Sequence, residues 1–469
     1  MTHMDLTSLP LSLQLDGNGN MSPLVLDKSL RDLPGKRMVC RGNWQSKPVV
    51  VKLFLDPRSA TRHWKREKRG VLTLRKANIR TPQLLFSGHL KDQTPIHIFE
   101  LLPEATTALE VWEQSDTDKQ RLAFLQQLLA ELANHHRAGL LQKDLHLNNF
   151  LFSRDHWYTI DADTIEGLHT PAPLDFKAGL ENLALFFAQF SPEFDHLIKP
   201  SLPVYTEPRQ QSADMTMQHL SDALMKKRRY RRLNYVKKCY RSCSEFIRRN
   251  DKNRIIIYRR DTDPERIGQL LADPDGLVDA GIRLKDGNSA TVTRIKHPEG
   301  DWIIKRYNVK NVWHGLKRCL RPSRAWISWG NAHRLSISGI ATPQAIAVIE
   351  KRIGPLRWGA YYVCDYVSGP DAAEYFKEWP QNEHTDNPVA WNFVHLFNIL
   401  HKIGIFHGDC KATNFLIKDQ QPWVIDLDAM KEFSSRQQYL RHYQTDRQRF
   451  LSNWNKQVNI KQWFERYLP

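Results

Sequence analysis

Two copies of one aspartate and asparagine pattern occur in this chain, and both contain the residue types that phosphoryl transfer requires. Each copy has an aspartate, an asparagine five positions later and a second aspartate twelve positions after that; the residues are Asp144, Asn149 and Asp161 in the first copy and Asp409, Asn414 and Asp426 in the second. Each residue lies 265 positions from its counterpart. A constant offset at three polar positions indicates an internal duplication.

The spacing suits the catalytic groups of a kinase, in which one aspartate orients the acceptor hydroxyl while an asparagine and a second aspartate bind metal at the phosphates. The pattern therefore assigns acceptor orientation to Asp144 and Asp409, and metal binding to the later residues of each copy. Mg²⁺ is the expected metal because it prefers hard oxygen ligands. A lone aspartate is more often a turn or capping residue, so the repetition favours the kinase interpretation.

Local patterns predict the elements that position these residues. Apolar stretches at 150–152 and 158–160, separated by turn residues, predict a β-hairpin that brings the two metal ligands of the first copy together. Residues 118–138 and 389–403 have the apolar spacing of helices that lead into each catalytic loop. His136 and His401 lie on these helices and are expected to face the core.

Each half also has a lysine in a predicted strand upstream of its catalytic loop. Lys52 lies within Val49–Phe54, and Lys305 lies within Trp302–Tyr307. Either lysine suits pairing with the α- and β-phosphates of ATP. A solvated lysine at a sheet edge is an equally common reading for each residue alone, and the position upstream of the loop favours the phosphate role.

A kinase helix glutamate that holds such a lysine is expected only in the first half. Counting back fifteen residues from Thr81-Pro82 gives Glu67, whereas the same count from the matching Thr342-Pro343 gives Ser328. Three explanations remain open: the alignment slips by one helical turn, another residue serves, or the second site is impaired.

Neither half has a glycine-rich nucleotide motif. The candidate phosphate-covering turns, at 40–44 and 285–289, contain one glycine each. Their residue types favour ordinary hairpin turns, so a phosphate role rests on position alone.

The loop sequences at 143–151 and 407–416, each followed by Ile-Asp-x-Asp, resemble the bacterial lipopolysaccharide kinases of the Kdo/WaaP/InaA group. The tandem arrangement resembles double-domain kinases of lipopolysaccharide core gene clusters, and the similarity covers about 36–207 and 264–430. The resemblance implies an α+β fold with two tandem protein-kinase-like bilobal domains. It also implies ATP-dependent phosphorylation of a heptose or Kdo hydroxyl in the lipopolysaccharide inner core. Gln142 and Lys143 depart from the usual residues before the first aspartate.

The predicted domain organisation is a loose lead-in at 1–34, a kinase-like domain at 35–219, a basic helical linker at 220–260 and a second kinase-like domain at 261–469. Residues 176–190 and 437–467 are predicted to add helices. The length and the 41% hydrophobic composition suit two globular domains.

Most of the net charge of +17 is concentrated between the two halves. Residues 226–260 contain fifteen Lys and Arg against Glu245 and Asp251. No Pro or Gly interrupts the segment, which predicts a helix. Its basic face suits an anionic partner: lipid headgroups, lipid A phosphates or nucleic acid; a merely solvated face is the alternative.

The expected location is cytoplasmic, with peripheral attachment to the inner face of the cytoplasmic membrane. No apolar run reaches the ~20 residues that span a bilayer, the first residues lack a secretory signal pattern, and the six cysteines form no metal-binding pattern. Since the suspected acceptor is a glycolipid, a membrane surface is favoured over nucleic acid.

Several functions compete with a sugar kinase: a protein or small-metabolite kinase, an inert pair of kinase folds that acts as a scaffold, and a nucleic-acid-binding protein. Metal ligands in both halves argue against the scaffold, which has no need of them. Lys411 suits stabilisation of the moving phosphate, a role that His146 fills less well at neutral pH. Because Glu67 has no counterpart, the first half is expected to be the competent one.

Overall fold

The computed structural model describes residues 9–15, 23–33, 35–167, 172–287, 290–307, 321–354, 356–378 and 387–469. The chain divides into two compact units. The first comprises Met1–Phe190 and Phe194–Arg228, and the second comprises Ser191–Glu193 and Arg229–Pro469. Each unit combines an antiparallel sheet with a mainly helical part, so the fold is mixed α+β.

The first unit contains a six-stranded antiparallel sheet. Its strands are β1 (Leu11–Leu13), β2 (Leu24–Leu33), β3 (Arg37–Trp44), β4 (Lys47–Phe54), β5 (Leu84–His89) and β6 (Pro95–Glu100). They are ordered β1-β2-β3-β4-β6-β5. Alternating apolar residues build one face, and Val49 and Val51 of β4 are fully buried in it.

The remaining elements of the first unit are helices and short strands. The helices are α1 (Ala60–Lys76), α2 (Ala108–Glu113), α3 (Asp118–Arg137), α4 (Phe176–Phe187), α5 (Ile198–Ser201), α6 (Pro203–Thr206) and α7 (Ala213–Lys238), which continues beyond Arg228. The short strands are β7 (Thr106–Thr107), β8 (Leu140–Gln142), β9 (Phe150–Ser153), β10 (His156–Thr159) and β11 (Ile165–Gly167). A capping box of Thr117 and Gln120 begins α3, and its apolar face packs in the core of this part.

The second unit contains a seven-stranded antiparallel sheet. Its strands are β12 (Phe246–Asp251), β13 (Arg254–Arg259), β14 (Ile282–Gly287), β15 (Ala290–Ile295), β16 (Trp302–Tyr307), β17 (Ala345–Ile353) and β18 (Leu356–Asp365), ordered β12-β13-β17-β18-β16-β15-β14. The shorter strands are β19 (Ile405–Phe406), β20 (Phe415–Lys418), β21 (Gln421–Val424) and β22 (Lys431–Glu432). The helices are α8 (Pro264–Ala272), α9 (Pro274–Ala280), α10 (Arg324–Ser336), α11 (Ala372–Tyr375), α12 (Pro388–Ile403), α13 (Arg436–Leu451) and α14 (Val458–Tyr467).

Five strands of the two sheets follow the same order. In the first unit this order is β2-β3-β4-β6-β5, and in the second it is β14-β15-β16-β18-β17. The lysine strands β4 and β16 are central in these sets, and a helix, α1 or α10, follows each along the chain. The hairpin predicted for the first copy is confirmed as β9–β10, and β20–β21 is its counterpart in the second unit.

The prediction of a loose lead-in at 1–34 is wrong for its described part. Leu11–Leu13 and Leu24–Leu33 pair as strands, and Leu13, Leu24 and Leu26 are buried. The alternation of leucines supplies a buried face that the neighbouring Gly, Asn and Pro residues obscure in the sequence. Residues 1–8, 16–22 and 34 lie outside the described part.

The prediction of a helical linker through residue 260 is also wrong. The helix ends at Lys238, and β12 and β13 then extend the sheet of the second unit. Ile255, Ile256 and Ile257 are buried in β13. A run of β-branched residues that pairs on both sides favours a central strand over a helix, whatever the charge of its flanks.

Within the described residues, no helix is long and apolar enough to cross a membrane.

Candidate active sites

Lys52 is the centre of an ion-pair network in the first unit. Its Nζ donates to Glu67 Oε1 and to Asp161 Oδ1, the latter at 2.6 Å. Both Lys52 and Glu67 are buried. Burial opposes the charged lysine, but Asp161 and Glu67 raise its pKa above the usual value. The structure therefore brings together the three charged groups that the sequence predicts for this site.

A close approach of α1 to the loop after β10 positions Glu67. A Cβ atom on Gly70 would lie only 1.9 Å from the carbonyl oxygen of Ala162, so only glycine fits at this point of the helix. Gly70 lies one turn after Glu67, on the same face. The helix can therefore bring its glutamate next to both the lysine strand and Asp161.

Asp161 has left-handed backbone angles, φ 56° and ψ 54°. Such a conformation costs about 1–3 kcal/mol for a residue other than glycine and is concentrated at functional sites. The positive charge of Lys52 is the main cause that lowers the pKa of the Asp161 carboxyl to about 2. The side chain is therefore a fixed anion at neutral pH.

Asn149 is held with its amide oxygen available. Its side-chain Nδ2 donates to the backbone carbonyl oxygen of Asp144 at 2.7 Å, and its backbone carbonyl oxygen accepts from the N–H of Ile160 at 2.9 Å. The second bond fixes Asn149 next to the residue that precedes Asp161. The predicted metal ligands Asn149 and Asp161 are thus brought together by the hairpin.

Four further residues surround this site and were missed by sequence reasoning. Arg37 and Arg31 approach Asp161 at 3.6 Å and 3.7 Å, and Arg37 also lies 3.4 Å from Asp163. His63 Nδ1 lies 2.7 Å from Asp163 Oδ2. Asp163 is the last residue of the Ile-Asp-x-Asp pattern, and His63 is one turn before Glu67, so these two had a local signal. The arginines come from the β2–β3 hairpin and had none.

The second unit repeats much of this geometry. Lys305 Nζ lies 2.5 Å from Asp426 Oδ1 and 3.7 Å from Asp428 Oδ2. Asp426 is left-handed, with φ 59°. Asn414 Nδ2 donates to the carbonyl oxygen of Asp409 at 2.8 Å. Burial opposes the charged form of Asp426, but Lys305 lowers its pKa below the usual value.

Ser328 occupies the place of Glu67, and no slip of one turn restores a carboxylate. His63 contacts Asp163 in the first unit, and Arg324, four positions before Ser328, contacts Asp428 at 2.7 Å in the second. The two helices therefore share one register. The hydroxyls of Ser328 and Tyr307 hydrogen-bond at 3.0 Å, and α10 contains no acidic residue. Lys305 therefore has Asp428 as its second carboxylate in place of a helix glutamate.

The catalytic loops differ more than the lysine sites do. Asp446 of α13 accepts hydrogen bonds from the backbone N–H groups of His407, at 2.6 Å, and Gly408, at 2.9 Å. His407 Nε2 lies 3.1 Å from the carbonyl oxygen of Ile425, the residue before Asp426. The loop that carries Asp409 is thus fastened both to a helix and to the metal-ligand hairpin.

Gly408 has a conformation that its counterpart Lys143 does not share. Its φ is +88°, and a Cβ atom would lie 2.9 Å from the carbonyl oxygen of Ala429. Lys143 is not among the residues with positive φ. Gln142, which corresponds to His407, is buried, and neither polar atom of its side chain has a hydrogen-bond partner in the described residues. Asp144 is 59% exposed against 29% for Asp409, so the second loop holds its aspartate more firmly.

The residues two positions after each aspartate both contact it. Lys411 Nζ donates to Asp409 Oδ2 at 2.8 Å, and His146 Nε2 lies 3.1 Å from Asp144 Oδ1. His146 lowers the pKa of Asp144.

Of the predicted core histidines, His136 is fully buried between Tyr205 and Asn182, whereas His401 is only half-buried.

The prediction of a phosphate-covering turn at 40–44 is wrong. These residues belong to β3, and the turn residues described at the other end of this strand, on the site side, are 35–36; Lys36 N–H donates to the carbonyl oxygen of Leu33. The β2–β3 hairpin was not predicted because the sequence analysis did not recognise β2 as a strand. In the second unit, residues 285–287 of the predicted turn belong to β14, and residues 288 and 289 lie outside the described part.

One family model matches this chain, over residues 284–463: the lipopolysaccharide kinase (Kdo/WaaP) family. The matched segment lies within the second unit and covers less than half of the chain, so it shows a similarity of this unit to the family. The segment contains Lys305, Asp409, Asn414 and Asp426, so the similarity extends over the site of the second unit. No curated protein matches the chain. Among solved structures, the kinase domain of Mycobacterium tuberculosis PknI matches with 13% identity and a TM-score of 0.29, over 44% of this chain and 97% of that domain.

The donor set of the second unit fits Mg²⁺ with a nucleotide. Among the described residues, no group of three or more His, Cys, Asp or Glu side chains forms a complete metal site. Asn414 and Asp426 supply one amide oxygen and one carboxylate, and Asn149 and Asp161 supply the same pair in the first unit. Mg²⁺ is commonly held by one or two protein ligands together with substrate phosphates and water, which agrees with such a short ligand set.

Proposed function

We propose that this chain is an ATP- and Mg²⁺-dependent phosphotransferase that phosphorylates a heptose or Kdo hydroxyl of the lipopolysaccharide inner core. The observation that carries the proposal is the fastened loop of Asp409, which lies within the segment matched by the lipopolysaccharide kinase family. Two tandem protein-kinase-like units, with boundaries near Arg228, are part of the proposal. The shared order of five strands and the matching lysine and aspartate contacts support them.

In the second unit, Asp409 accepts the hydrogen bond of the acceptor hydroxyl and orients it. Lys411 neutralises the transferring phosphoryl group, and Lys305 binds the α- and β-phosphates. Asn414 and Asp426 hold Mg²⁺. When bound, this ion neutralises charge on the β- and γ-phosphates. Each of these roles uses a side chain whose position is already fixed by a hydrogen bond or ion pair in the structure.

The first unit is proposed to serve mainly in nucleotide binding, and phosphate transfer is assigned to the second unit. It retains the Lys52–Glu67 pair, which orders the phosphate-binding lysine, together with Asn149 and Asp161. Its Asp144 is exposed, and among the described residues no carboxylate accepts from the backbone N–H groups before it as Asp446 does in the second unit. The second unit therefore has the better-ordered acceptor site, although the missing glutamate favoured the first unit in the sequence analysis.

Arg37 is proposed to bind the nucleotide phosphates of the first unit, since this chain lacks a glycine-rich loop. We expect Arg37→Gln to weaken Mg²⁺·ATP binding about tenfold, because a charge-assisted contact contributes roughly 1.5–3 kcal/mol. Adenosine binding should change little. Calorimetry with both ligands, in a protein whose second site is disabled by Asp426→Asn, measures the difference.

Arg41→Gln is the matched control for that variant. Arg41 lies on the same strand and pairs with Asp27 at 2.7 Å instead of with the site. Equal loss of ATP affinity in both variants, or an equal loss for adenosine, would contradict a phosphate contact by Arg37.

The basic segment at 226–260 is proposed to contact an anionic membrane surface, with the protein peripheral on the cytoplasmic face. Only some of the cations in this segment can contact lipid, because others are bound within the protein. In the first unit Arg228 is bound to Asp195 and the carbonyl oxygen of Phe190, and in the second unit Arg232 is bound to Glu432. Exposed cations such as Lys226 and Lys237 remain candidates for lipid contact.

Transfer of labelled phosphate from ATP to defined acceptors tests the proposed function. The acceptors are dephosphorylated core oligosaccharide, free heptose or Kdo, and a generic peptide. We expect label only in the core oligosaccharide. Label in the peptide or the free sugars alone would favour the protein kinase or the small-metabolite kinase, and Mg²⁺·ATP binding without transfer to any acceptor would favour the scaffold.

A further inference from the structure

Helix α1 has two faces of opposite character. The inner face buries Glu67, Gly70, Val71 and Leu74 against the site and the core. The outer face is basic, and its exposed cations are Arg62, Lys65, Lys68, Arg69, Arg75 and Lys76. Glu67 is the only acidic residue of the helix, so nothing on the outer face offsets this charge.

The outer cations are unpaired within the part of the chain that the structure describes. The recorded ion pairs include none of them, whereas Arg66, between the two faces, donates to the carbonyl oxygen of Asp163. Four of them, Lys65, Lys68, Arg69 and Lys76, border a shallow, open depression on the surface of the helix, together with Trp64, Leu72 and Thr73. Leu72, at the centre of this group, is 53% exposed.

A phosphate-bearing amphiphile matches this surface better than a nucleic acid does. Cations around an exposed leucine are typical of helices that lie on anionic membranes. Single-stranded nucleic acids bind to free aromatic faces, but the Trp64 ring lies between His89 and His97, and its Nε1 donates to the carbonyl oxygen of Ile96. We propose that the outer face of α1 binds an anionic lipid membrane.

The same helix would transmit this binding to the nucleotide site. Its N-terminus has no side-chain cap and no acidic residue in the first turn, although a helix start favours negative charge. Like charges four residues apart, as in Lys65 and Arg69, destabilise a helix further. An anionic surface neutralises this repulsion, so it stabilises α1 and with it the Glu67–Lys52 pair. This regulatory effect rests on the proposed nucleotide binding by the first unit; the membrane contact itself does not.

Vesicle co-sedimentation of the full chain tests the membrane contact. The variant replaces Lys65, Lys68, Arg69 and Lys76 by Gln, none of which contacts the site. We expect at least a tenfold loss of binding to phosphatidylglycerol vesicles at low salt, since each cation near such a surface contributes a factor of about five. Binding by the unmodified chain should also weaken as salt rises. Unchanged binding by the variant overturns the proposal.

A matched control replaces four exposed cations elsewhere in the same unit by Gln; these are Lys91, Lys119, Arg137 and Lys177. This variant loses the same charge and should retain most vesicle binding, and an equal loss would mean that net charge alone acts. Thermal unfolding of both variants verifies folding. Inorganic phosphate and RNA distinguish other sources of the anion: if either abolishes vesicle binding at physiological salt, the site is for soluble phosphate or nucleic acid, and the proposal fails.

The regulatory step has a separate measurement. With the second site disabled by Asp426→Asn, anionic vesicles should raise Mg²⁺·ATP affinity several-fold, and neutral phosphatidylcholine vesicles should not. Glu67→Gln should remove this increase while vesicle binding persists. Absence of ATP binding under every condition would contradict the proposed nucleotide site and leave the membrane result standing; ATP binding that vesicles do not change would overturn the regulation.

Discussion

We expect Asp409→Asn to lower phosphoryl transfer to the acceptor by about 10²-fold or more, because positioning of a general base contributes roughly 10²–10⁴-fold. The substitution keeps the size of the side chain but removes the charge that accepts the hydroxyl proton and pairs with Lys411. Steady-state transfer rates at saturating Mg²⁺·ATP measure the effect. Nucleotide affinity should remain close to that of the unmodified chain, since the carboxylates that Lys305 contacts among the described residues are Asp426 and Asp428, and Asp409 is not one of them.

Asp144→Asn is the matched comparison, at the equivalent position of the other copy. We expect it to retain most of the transfer activity, because Asp144 is exposed and its loop lacks the Asp446 anchor. The opposite pattern, with full activity in Asp409→Asn and loss in Asp144→Asn, would assign transfer to the first unit. Full activity in the double variant would exclude both loops.

Replacing Asp161 and Asp426 together by Asn should weaken Mg²⁺-dependent ATP binding by about 10²-fold. Each carboxylate would hold the metal ion, and the ion would neutralise phosphate charge, which contributes several kcal/mol. The comparison of thermal shift with Mg²⁺·ATP and with ATP plus a chelator isolates the metal-dependent part. Asn also tolerates left-handed backbone angles, so the fold should be preserved.

The hairpins supply a control for this double variant. Asp155 and Asp419 lie in the turns of the same two hairpins, are exposed and also have positive φ. Their joint replacement by Asn should leave Mg²⁺·ATP binding unchanged. Unchanged binding in the Asp161 and Asp426 variant would exclude both carboxylates as metal ligands.

Local spacing made much of the site predictable. Asn149 and Asp161 are joined by a hairpin whose two strands have a simple apolar pattern, and Lys52 lies in a run of valines that can hardly be anything but a strand. The helix register that gives Glu67 and Ser328 was also recoverable from one landmark in each half. Contacts within a catalytic loop and the hairpin that follows it could therefore be predicted from the sequence.

Long-range contacts were not predictable. Asp446 anchors His407 from 39 positions away, and Arg37 approaches Asp163 from 126 positions away. The hydrophobic periodicity of helices and strands does not show that residues so far apart in the sequence are in contact. The absence of Pro and Gly was misleading in the same way: it predicted one helix through 226–260, whereas Phe246 and the isoleucines of β13 build two strands. Burial of these apolar residues decides the structure, and it depends on partners far along the chain.

Phosphate analysis of core oligosaccharide by mass spectrometry tests the central claim most directly. The strains are one that lacks this chain, and the same strain supplied with the unmodified chain, with Asp409→Asn or with Asp144→Asn. We expect the deletion to remove one phosphate group from an inner-core heptose or Kdo, and we expect the unmodified chain and Asp144→Asn to restore it while Asp409→Asn does not. Unchanged phosphate content in the strain that lacks the chain would contradict phosphorylation of the lipopolysaccharide core by this protein.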